Sequence, residues 1–438
     1  MVGEMSMNLK LNFIFVFTAS VMGLVLFQNT LLAQDVLPNR TIDVQGLITP
    51  VLVRDWNMAD KIEEGKQLLA ASQPLAFTEV KKKLARKQIA LAILDTETGV
   101  VFEKRYWLDE TDIKKAAAVS KSYAANTGNL PKFQPTDSNE QFSVITNWWN
   151  SFNSDWSISK NGVSDGRFVV IGDKYLMRNE DLAYPEDRKG PKYSDIIYVP
   201  YSEAIADRAV IAAGLAFLNE HVRQAFQELA AANVRSKAFP GQLVTDTITQ
   251  TFVKNVFLTE HTDPKGMINS TDGGRKLAER VFVRLGANGE RAFRYTVSKT
   301  GASGLGQIMP ATYASMFKGY SSAQLIKNTD IGRVEVKNGI KASTLVLDDH
   351  LAEVRRRVNN TGNRAKQVFT NLTPDELDEV RGMIYNGGAG KYSTSTGKLN
   401  LSSRGAKETV GFLQKLRMIR ALGLFDQYAE IQTQAVQQ

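Results

Sequence analysis

The amino-acid sequence predicts an α+β protein, with a mixed α/β amino-terminal part and a mostly α-helical carboxyl-terminal part. Between residues 34 and 200, short runs rich in β-branched and aromatic residues alternate with turn residues and helix-compatible segments. After residue 200, apolar residues recur every three or four positions, as one face of a helix requires. Phe239-Pro240-Gly241 interrupts the helical pattern, and we place a domain boundary there.

Residues 1–33 have the pattern of a secretory leader. Lys10 precedes the apolar run Leu11–Phe27, and Ala33 is the small residue at the expected cut. Because Leu31 is not the small residue preferred two positions earlier, an uncleaved membrane anchor is the alternative. Either way the rest of the chain is expected outside the cytoplasm, in the periplasm or cell envelope. The predicted segments are a signal peptide (1–33), a mixed α/β accessory domain (34–200), a connecting helix (201–240), a helical domain (241–425) and a flexible tail (426–438).

Composition excludes several kinds of site. The 438-residue chain has no cysteine, which rules out disulfides, thiol catalysis and cysteine-bound zinc. It has three histidines, at positions 221, 261 and 350, and no pair has metal-ligand spacing. We therefore predict no metal and no cofactor. The net charge of +8 favours polyanionic partners such as cell-wall polymers, anionic lipid or nucleic acid, without choosing among them.

The amino-terminal part contains both helix and strand signals. Two β-rich runs, 88–95 and 100–107, flank a Gly-containing turn and predict a hairpin. Helices are predicted over 61–72 and 77–87, further strands over 167–172 and 195–199, and a loop over 125–140.

All five tryptophans lie in this part, and three of them belong to an aromatic cluster. The cluster has two interpretations: a surface that stacks on sugars or docks a cell-envelope protein, or ordinary core. Its members are Phe142, Trp148, Trp149, Phe152 and Trp156.

Two long helical segments follow, Ser202–Val234 and Gln242–Glu260. In the second, Val244, Ile248, Phe252 and Val256 recur every four residues, and Glu260 continues the same apolar face. A carboxyl group on a buried face is desolvated, which raises its pKa and makes it a proton donor. The alternative is a partly exposed glutamate at a helix end.

One stretch, Tyr295–Tyr313, is dense in residues with specific backbone roles. Three glycines at positions 301, 304 and 306 allow tight turns and close approach to a ligand. Pro310 then opens a helix-compatible run. A hydroxyl at Ser298 and an amide at Gln307 among apolar neighbours are typical of a site that hydrogen-bonds a polar ligand. A glycine-rich turn before a helix is the alternative.

This stretch resembles the Ser-x-x-Gly-Ala-x-Gly-Leu-x-Gln-x-Met-Pro-x-Thr core of the soluble-type lytic transglycosylases, lysozyme-like enzymes that cleave bacterial peptidoglycan. Downstream, Tyr385-Asn386-Gly387-Gly388 is similar to that family's Tyr-Asn-x-Gly motif, and Glu408-Thr409 is similar to its Glu-Thr-x-x-Tyr motif. The resemblance covers roughly residues 240–425. It implies that the helical domain is lysozyme-like, that the partner is a peptidoglycan glycan strand and not nucleic acid, and that no cofactor is needed.

The catalytic glutamate departs from the family pattern, and two residues compete for the role. Glu290 lies eight residues before Ser298, at about the usual spacing, but it follows an Asn-Gly turn and no helix is predicted to lead into it. Glu260 ends an apolar helix but is followed by His261 where the family has serine. Family members with an insertion between the glutamate and the motif have this layout. We predict Glu260 as the acid, with Glu290 as the alternative.

The resemblance also implies roles for the other residues. Glu260 would protonate the glycosidic oxygen and then act as base on the C6 hydroxyl, which closes a 1,6-anhydro ring. Ser298 and Gln307 would hydrogen-bond Glu260 or the substrate. Met309 would line the groove beside Gly304, Tyr385 would orient the carboxyl or acetamido group, and Asn386 would hold the turn. A non-catalytic wall-binding protein and a true muramidase, with Asp263 or Glu290 activating water, are the other functions considered.

Overall fold

A computed structural model describes residues 55–109, 111, 114, 132–133, 141–400, 402 and 405–426. Within these residues the protein belongs to the α+β class, as the sequence predicts. The predicted leader, most of the predicted loop over 125–140 and the tail from residue 427 lie outside the described residues. The described residues from 55 onward belong to one compact unit. The predicted domain boundaries stay predictions.

The strands form two antiparallel sheets. Strand β2 has β3 along one edge, whereas β1 and β7 share its other edge, and β8 continues the sheet from β7. A smaller sheet has the order β4-β5-β6. The bounds are β1 Phe77–Val80, β2 Lys83–Asp95, β3 Val101–Asp109, β4 Lys132–Phe133, β5 Phe142–Trp148, β6 Asp155–Lys160, β7 Phe168–Arg178 and β8 Tyr193–Tyr198.

The predicted hairpin is confirmed, because β2 and β3 pair from Arg86–Asp109 to Leu94–Val101. The strand predictions over 167–172 and 195–199 are confirmed by β7 and β8. The helix predicted over 77–87 is wrong, since this segment is the β1–β2 hairpin. Lys81 and Lys82 have φ values of 51° and 63°, as a tight hairpin turn requires. Pairing with β2 outweighs the helix propensity of this lysine-rich run.

Each face of the larger sheet is buried against a different layer. Ala90, Ala92 and Ile171 on one face join the core that continues through the helical part. Ile89, Leu91 and Val170 on the other face pack against the smaller sheet and the aromatic cluster.

The aromatic cluster itself is mostly core. Phe142, Trp149, Phe152 and Trp156 are all buried, and the rings of Trp149 and Trp156 lie edge to face at 5.9 Å. The packing therefore favours the interpretation of this cluster as ordinary core. A cell-envelope protein partner for this part of the chain stays a prediction.

The helices account for most of the remaining chain. Their bounds are α1 Met58–Ala71, α2 Arg208–Ala231, α3 Val244–Thr247, α4 Gln250–Glu260, α5 Pro264–Ile268, α6 Arg275–Asn288, α7 Pro310–Gly319, α8 Thr329–Val334, α9 Val336–Thr361, α10 Asn363–Thr370, α11 Pro374–Gly387 and α12 Ala406–Leu422. Within the described residues, none of these helices is both long and apolar enough to cross a membrane.

Two of the sequence-based helix predictions need correction. The segment over 242–260 is two helices, because Ile248 is extended between α3 and α4 and Thr249 starts a new helix as its N-cap. Val244 and Ile248 remain buried despite the break. The statement that no helix leads into Glu290 is wrong, since α6 ends at Asn288 and Gly289 caps it with φ 52°. Both candidate acids therefore follow helices.

Candidate functional site

Helix α4 delivers Glu260 as its last residue. The Thr249 hydroxyl caps the helix by accepting a hydrogen bond from the Phe252 amide at 3.2 Å. Phe252, Val253, Val256 and Phe257 are buried on the next turns, so the helix end is held against the core. Glu260 itself is partly buried. Glu260 therefore lies at the end of an apolar helix face, as the periodicity of the sequence predicts.

Burial raises the pKa of the Glu260 carboxyl from an ordinary 4.5 to about 7, and two nearby charges act on it in opposite directions. The Lys415 ammonium lowers the pKa and the Glu408 carboxylate raises it. Lys415 is buried and donates to the carbonyls of Thr259 and Thr262, at 2.6 and 2.7 Å. It therefore places a cation at the carboxyl end of α4, where the helix dipole favours one.

The residue after the glutamate ties α4 to the glycine-rich loop, residues 298–309. His261 Nε2 lies 2.8 Å from the Leu305 carbonyl oxygen. A carbonyl only accepts, so Nε2 carries the proton. The ring stacks on Phe293 at 3.9 Å between centroids. Burial, with help from the charge of Arg284, lowers the pKa of His261 to about 3, so this imidazole is neutral. The departure from Glu-Ser to Glu-His thus has a structural role here.

The glycine-rich loop is held by its own backbone and by Arg333. The Ser298 amide donates to the Ala302 carbonyl at 2.8 Å, and the Ser298 hydroxyl accepts from the Ala302 amide at 2.9 Å. Arg333 is buried and donates from Nη1 to the carbonyls of Gly301 and Ile308, at 2.7 and 3.3 Å. A guanidinium that bonds both ends of the loop fixes its shape.

Gly304 is required by this arrangement. It has φ +76°, and an added Cβ would lie 1.9 Å from the Arg333 carbonyl oxygen. Gln307 also has a positive φ, 47°, and its side-chain amide donates back to the Gly304 carbonyl at 2.9 Å. The hydrogen bonds of Ser298 and Gln307 therefore stay within the loop. Their predicted bonds to Glu260 or to substrate stay predictions.

Tyr385, on α11, joins the second motif to the loop. Its hydroxyl donates to the Gly306 carbonyl at 2.5 Å, and the Ser343 hydroxyl lies 3.0 Å from the same oxygen. The Tyr385 hydroxyl is the donor toward both oxygens. Burial, and then the charge of Glu260, raise the Tyr385 pKa. Tyr385 is therefore in the electrostatic neighbourhood of Glu260, and its role in orienting a carboxyl or acetamido group stays a prediction.

The second and third motifs also meet. Asn386 follows Tyr385 on α11, and its side-chain oxygen accepts a hydrogen bond from the buried Thr409 hydroxyl at 2.9 Å. Thr409 is in the first turn of α12, next to Glu408. The charge of Glu408 acts on the Glu260 pKa. The Glu408-Thr409 motif therefore interacts with Glu260 through this charge and with Asn386 through the hydrogen bond.

Met309 and Glu290 occupy different places. Met309 is 37% exposed at the N-cap of α7, and its place in a substrate groove stays a prediction. The Glu290 carboxylate lies 2.8 Å from His221 Nε2 on α2 and accepts from the Val336 amide at the start of α9. The His221 hydrogen bond leads the interactions that lower the Glu290 pKa. Glu290 is therefore ionised at neutral pH and bonded to residues outside the three motifs.

The other carboxylate considered for activating water is Asp263. It is the N-cap of α5 and accepts from the Gly266 amide at 2.6 Å, which is a structural use of one oxygen. Among the described residues, no group of three or more histidine, aspartate or glutamate side chains is arranged to hold a metal ion.

Four contributors were missed by the sequence reasoning. Lys415, Arg333 and Ser343 lie far from the motifs in sequence and are ordinary polar residues on helical segments. His261 was seen only as a departure from the family pattern. A buried lysine on the packed face of α12 could have been suspected, because Phe412 and Ile419 mark the same helix as amphipathic. Nothing in the sequence indicated Arg333 or Ser343.

The three motifs therefore converge: α4 supplies Glu260, the loop supplies Gly304 and Gly306, α11 supplies Tyr385 and Asn386, and α12 supplies Thr409 and Lys415. Comparison with protein-family models, with curated proteins and with solved structures gave no match.

Proposed function

We propose that this protein is a peptidoglycan lytic transglycosylase with Glu260 as its acid, acting in the periplasm or cell envelope during cell-wall remodelling. The observation that carries the proposal is the Glu260 carboxyl at the end of α4, with a pKa raised to about 7 by burial. A carboxyl group with a pKa near neutrality holds its proton long enough to give it to a glycosidic oxygen.

The same carboxyl serves both halves of the proposed reaction. Glu260 protonates the glycosidic oxygen between N-acetylmuramic acid and N-acetylglucosamine, and the bond to the muramic C1 breaks. The substrate's own acetamido oxygen supports the positive centre, so no second carboxylate is needed. Glu260, now ionised, removes the proton of the C6 hydroxyl, whose oxygen bonds to C1. The proton is returned to Glu260 and a 1,6-anhydro end is formed.

The neighbours support this cycle in different ways. Lys415 beside the carboxylate favours the ionised state, which is formed after the first proton transfer. Tyr385 holds the Gly306 carbonyl of the loop that His261 joins to the end of α4. His261 is neutral and bonded, so it does not compete for the proton.

Digestion of purified peptidoglycan followed by mass spectrometry tests the proposal. We expect products about 18 Da lighter than reducing-end forms, because ring closure replaces the addition of one water. Products with reducing ends would instead identify a muramidase. Glycan binding without products, unchanged by Glu260→Gln, would identify a wall-binding protein.

Two matched glutamine variants decide the acid. Glu260→Gln removes the proton donor with little change in shape, so anhydro products should disappear. Glu290→Gln should retain activity, since its carboxylate is ionised and bonded to His221. Loss of activity in Glu290→Gln alone, with both variants folded, would refute the assignment of Glu260.

A further inference from the structure

A cavity bounded by the described residues lies apart from the Glu260 site. It has a volume of about 780 Å³ and lies between the larger sheet and the other side of the glycine-rich loop. Its walls come from β7, from residues 150–153, from the segment over 178–188 and from residues 294–303. Glu260, Tyr385 and Asn386 do not line it. The volume is in the range of sites that bind small molecules.

Basic side chains outnumber acidic ones around this cavity. Three of the arginines have carboxylate partners: Arg178 pairs with Asp181 at 2.9 Å, Arg333 with Asp330 at 2.8 Å and Arg294 with Asp187 at 3.4 Å. The six basic lining residues are Lys87, Arg178, Arg188, Arg284, Arg294 and Arg333, and the three acidic ones are Glu180, Asp181 and Asp330. The excess of positive charge favours an anion.

Lys87 is a buried cation without a full set of partners. Its Nζ donates to the Leu176 carbonyl at 3.3 Å and lies 3.5 Å above the Tyr175 ring. Burial lowers the Lys87 pKa to about 7. The acidic group whose charge acts on the Lys87 pKa is Asp173, which is buried in the sheet. Neither of its oxygens has a hydrogen-bond partner within the described residues, and burial raises its pKa well above the ordinary value. Of the three hydrogen-bond donors on Nζ, one is used on the Leu176 carbonyl within the described residues, so donor capacity remains for a ligand.

Two further donors on the cavity wall are buried and unbonded within the described residues. Arg294 Nε has no hydrogen-bond partner, and its Nη1 reaches Asp187 only at 3.4 Å. The Ser303 hydroxyl has none either, although Ser303 is only 2% exposed. Buried polar groups without partners are rare in folded proteins, so a ligand that accepts hydrogen bonds is a physical reason for these two.

We propose that this cavity binds a small organic anion with a free carboxylate, of the size of a short acidic peptide. Lys87, Arg294 and Ser303 would supply donors to carboxylate oxygens. The rings of Phe152 and Tyr295, which pack at 5.6 Å between centroids, offer an apolar wall for the rest of the ligand.

A carboxylate-bearing peptide suits this wall better than a compact polyanion such as pyrophosphate. The basic groups are spread over the sheet and the loop instead of converging on one point, and Glu180 and Asp181 would repel a concentrated negative charge. The same acidic residues could accept an amino group. Ser303 lies two residues before Leu305, whose carbonyl binds His261, so an occupied cavity would also restrain the loop at the proposed catalytic site.

Titration calorimetry of the full chain tests the proposal, with triglutamate as the probe and pyrophosphate as the comparison, both at about 150 mM salt to screen non-specific attraction. We expect triglutamate to bind. Ser303→Ala should weaken binding about threefold to tenfold, the loss of one hydrogen bond. Lys87→Met should weaken it at least about tenfold, the loss of a charged partner. Lys254→Met, a partly buried lysine on α4 away from the cavity, is the control and should bind as the wild type does.

Three results would overturn the proposal: no binding of triglutamate up to about 10 mM, a limit far weaker than usual ligand affinities; equal affinity in Ser303→Ala; or binding of pyrophosphate alone. Ser303→Ala removes an unbonded hydroxyl and should fold, so the test does not depend on Lys87→Met. Since the readout is binding, failure here is distinct from failure of the proposed lytic activity.

Discussion

Replacing Glu260 by glutamine should make the protein more stable above neutral pH. In the folded protein, burial holds the proton on this carboxyl up to a pKa of about 7. In the unfolded chain the carboxyl ionises freely near 4.5. At pH 8 the folded state must therefore carry a charge that its surroundings disfavour. Glutamine keeps the shape of the side chain but never ionises, so the variant avoids this cost.

The size and sign of the effect follow from the two pKa values. The difference between 4.5 and about 7 corresponds to about 3 kcal/mol, at 1.36 kcal/mol per pKa unit. Between these values the folded state binds more protons than the unfolded state, so the free energy of unfolding falls as pH rises. Below pH 4.5 the carboxyl is protonated in both states and no cost remains. Above pH 7 the whole cost is present.

Urea unfolding followed by tryptophan fluorescence, at pH 4.5 and pH 8 and constant ionic strength, measures this difference. The stability gained by Glu260→Gln relative to the wild type should be about 3 kcal/mol larger at pH 8 than at pH 4.5. Subtracting the stability gain at pH 4.5 from the gain at pH 8 cancels the pH-independent effect of replacing the carboxyl group by an amide.

Glu290→Gln is the matched control, with the opposite sign. Its carboxylate is bonded to His221 and its pKa is lowered, so the native carboxylate stabilises the fold above its unfolded pKa. The variant should lose stability at pH 8 and recover toward the wild type as the pH falls through the lowered pKa. A Glu260→Gln variant that is equally stable or less stable at pH 8 than at pH 4.5, relative to wild type, would refute the reasoning about burial.

Three further predictions concern the loop and the acid. Tyr385→Phe leaves the Gly306 carbonyl unbonded and should cost about 1–3 kcal/mol in urea unfolding. Tyr392→Phe removes a buried hydroxyl that has no hydrogen-bond partner among the described residues, and it should be neutral; equal costs would contradict the hydrogen-bond assignment. Gly304→Ala should lower the free energy of unfolding by more than the roughly 1–2 kcal/mol of positive-φ strain, because the added Cβ meets a backbone oxygen. Gly301→Ala places its Cβ in open space and should show the strain alone. A smaller loss for Gly304→Ala than for Gly301→Ala would disprove the close packing. Lys415→Met removes a cation that favours the carboxylate, so the pH above which lytic activity falls should rise from about 7; an unchanged or lower limit in activity assays would contradict the role of the lysine.

Local patterns in the sequence were enough where the structure depends on near neighbours. The hairpin of β2 and β3 was predictable from two β-rich runs around a turn. The start of α11 also depends on near neighbours, because the Thr373 hydroxyl accepts from the Glu376 amide in a capping box. Placement of Glu260 at the end of an apolar helix face was likewise readable, because helix periodicity is a local property.

Predictions failed where distant pairing decided the outcome. The segment over 77–87 has helix-compatible residues, yet β2 recruits it into a sheet. The break at Ile248 was hidden because Ile248 is buried, as are Val244 before it and Phe252 after it, so the spacing of apolar residues carries no trace of the interruption. No helix was predicted to lead into Glu290, because Asn288-Gly289 is typical of a turn, whereas α6 continues to Asn288 and ends at Gly289.

By itself, the sequence determined the α+β class, the motif positions and the helix that carries Glu260, since these follow from residue types at short spacing. Only the tertiary structure decided the environments of the two glutamates. Burial beside Lys415 raises the pKa of Glu260, and the bond to His221 lowers that of Glu290. Lys415 lies 155 positions from Glu260 in the chain, and His221 lies 69 positions from Glu290. The sequence cannot show these partners, because the proton affinity of a carboxyl depends on what surrounds it in space.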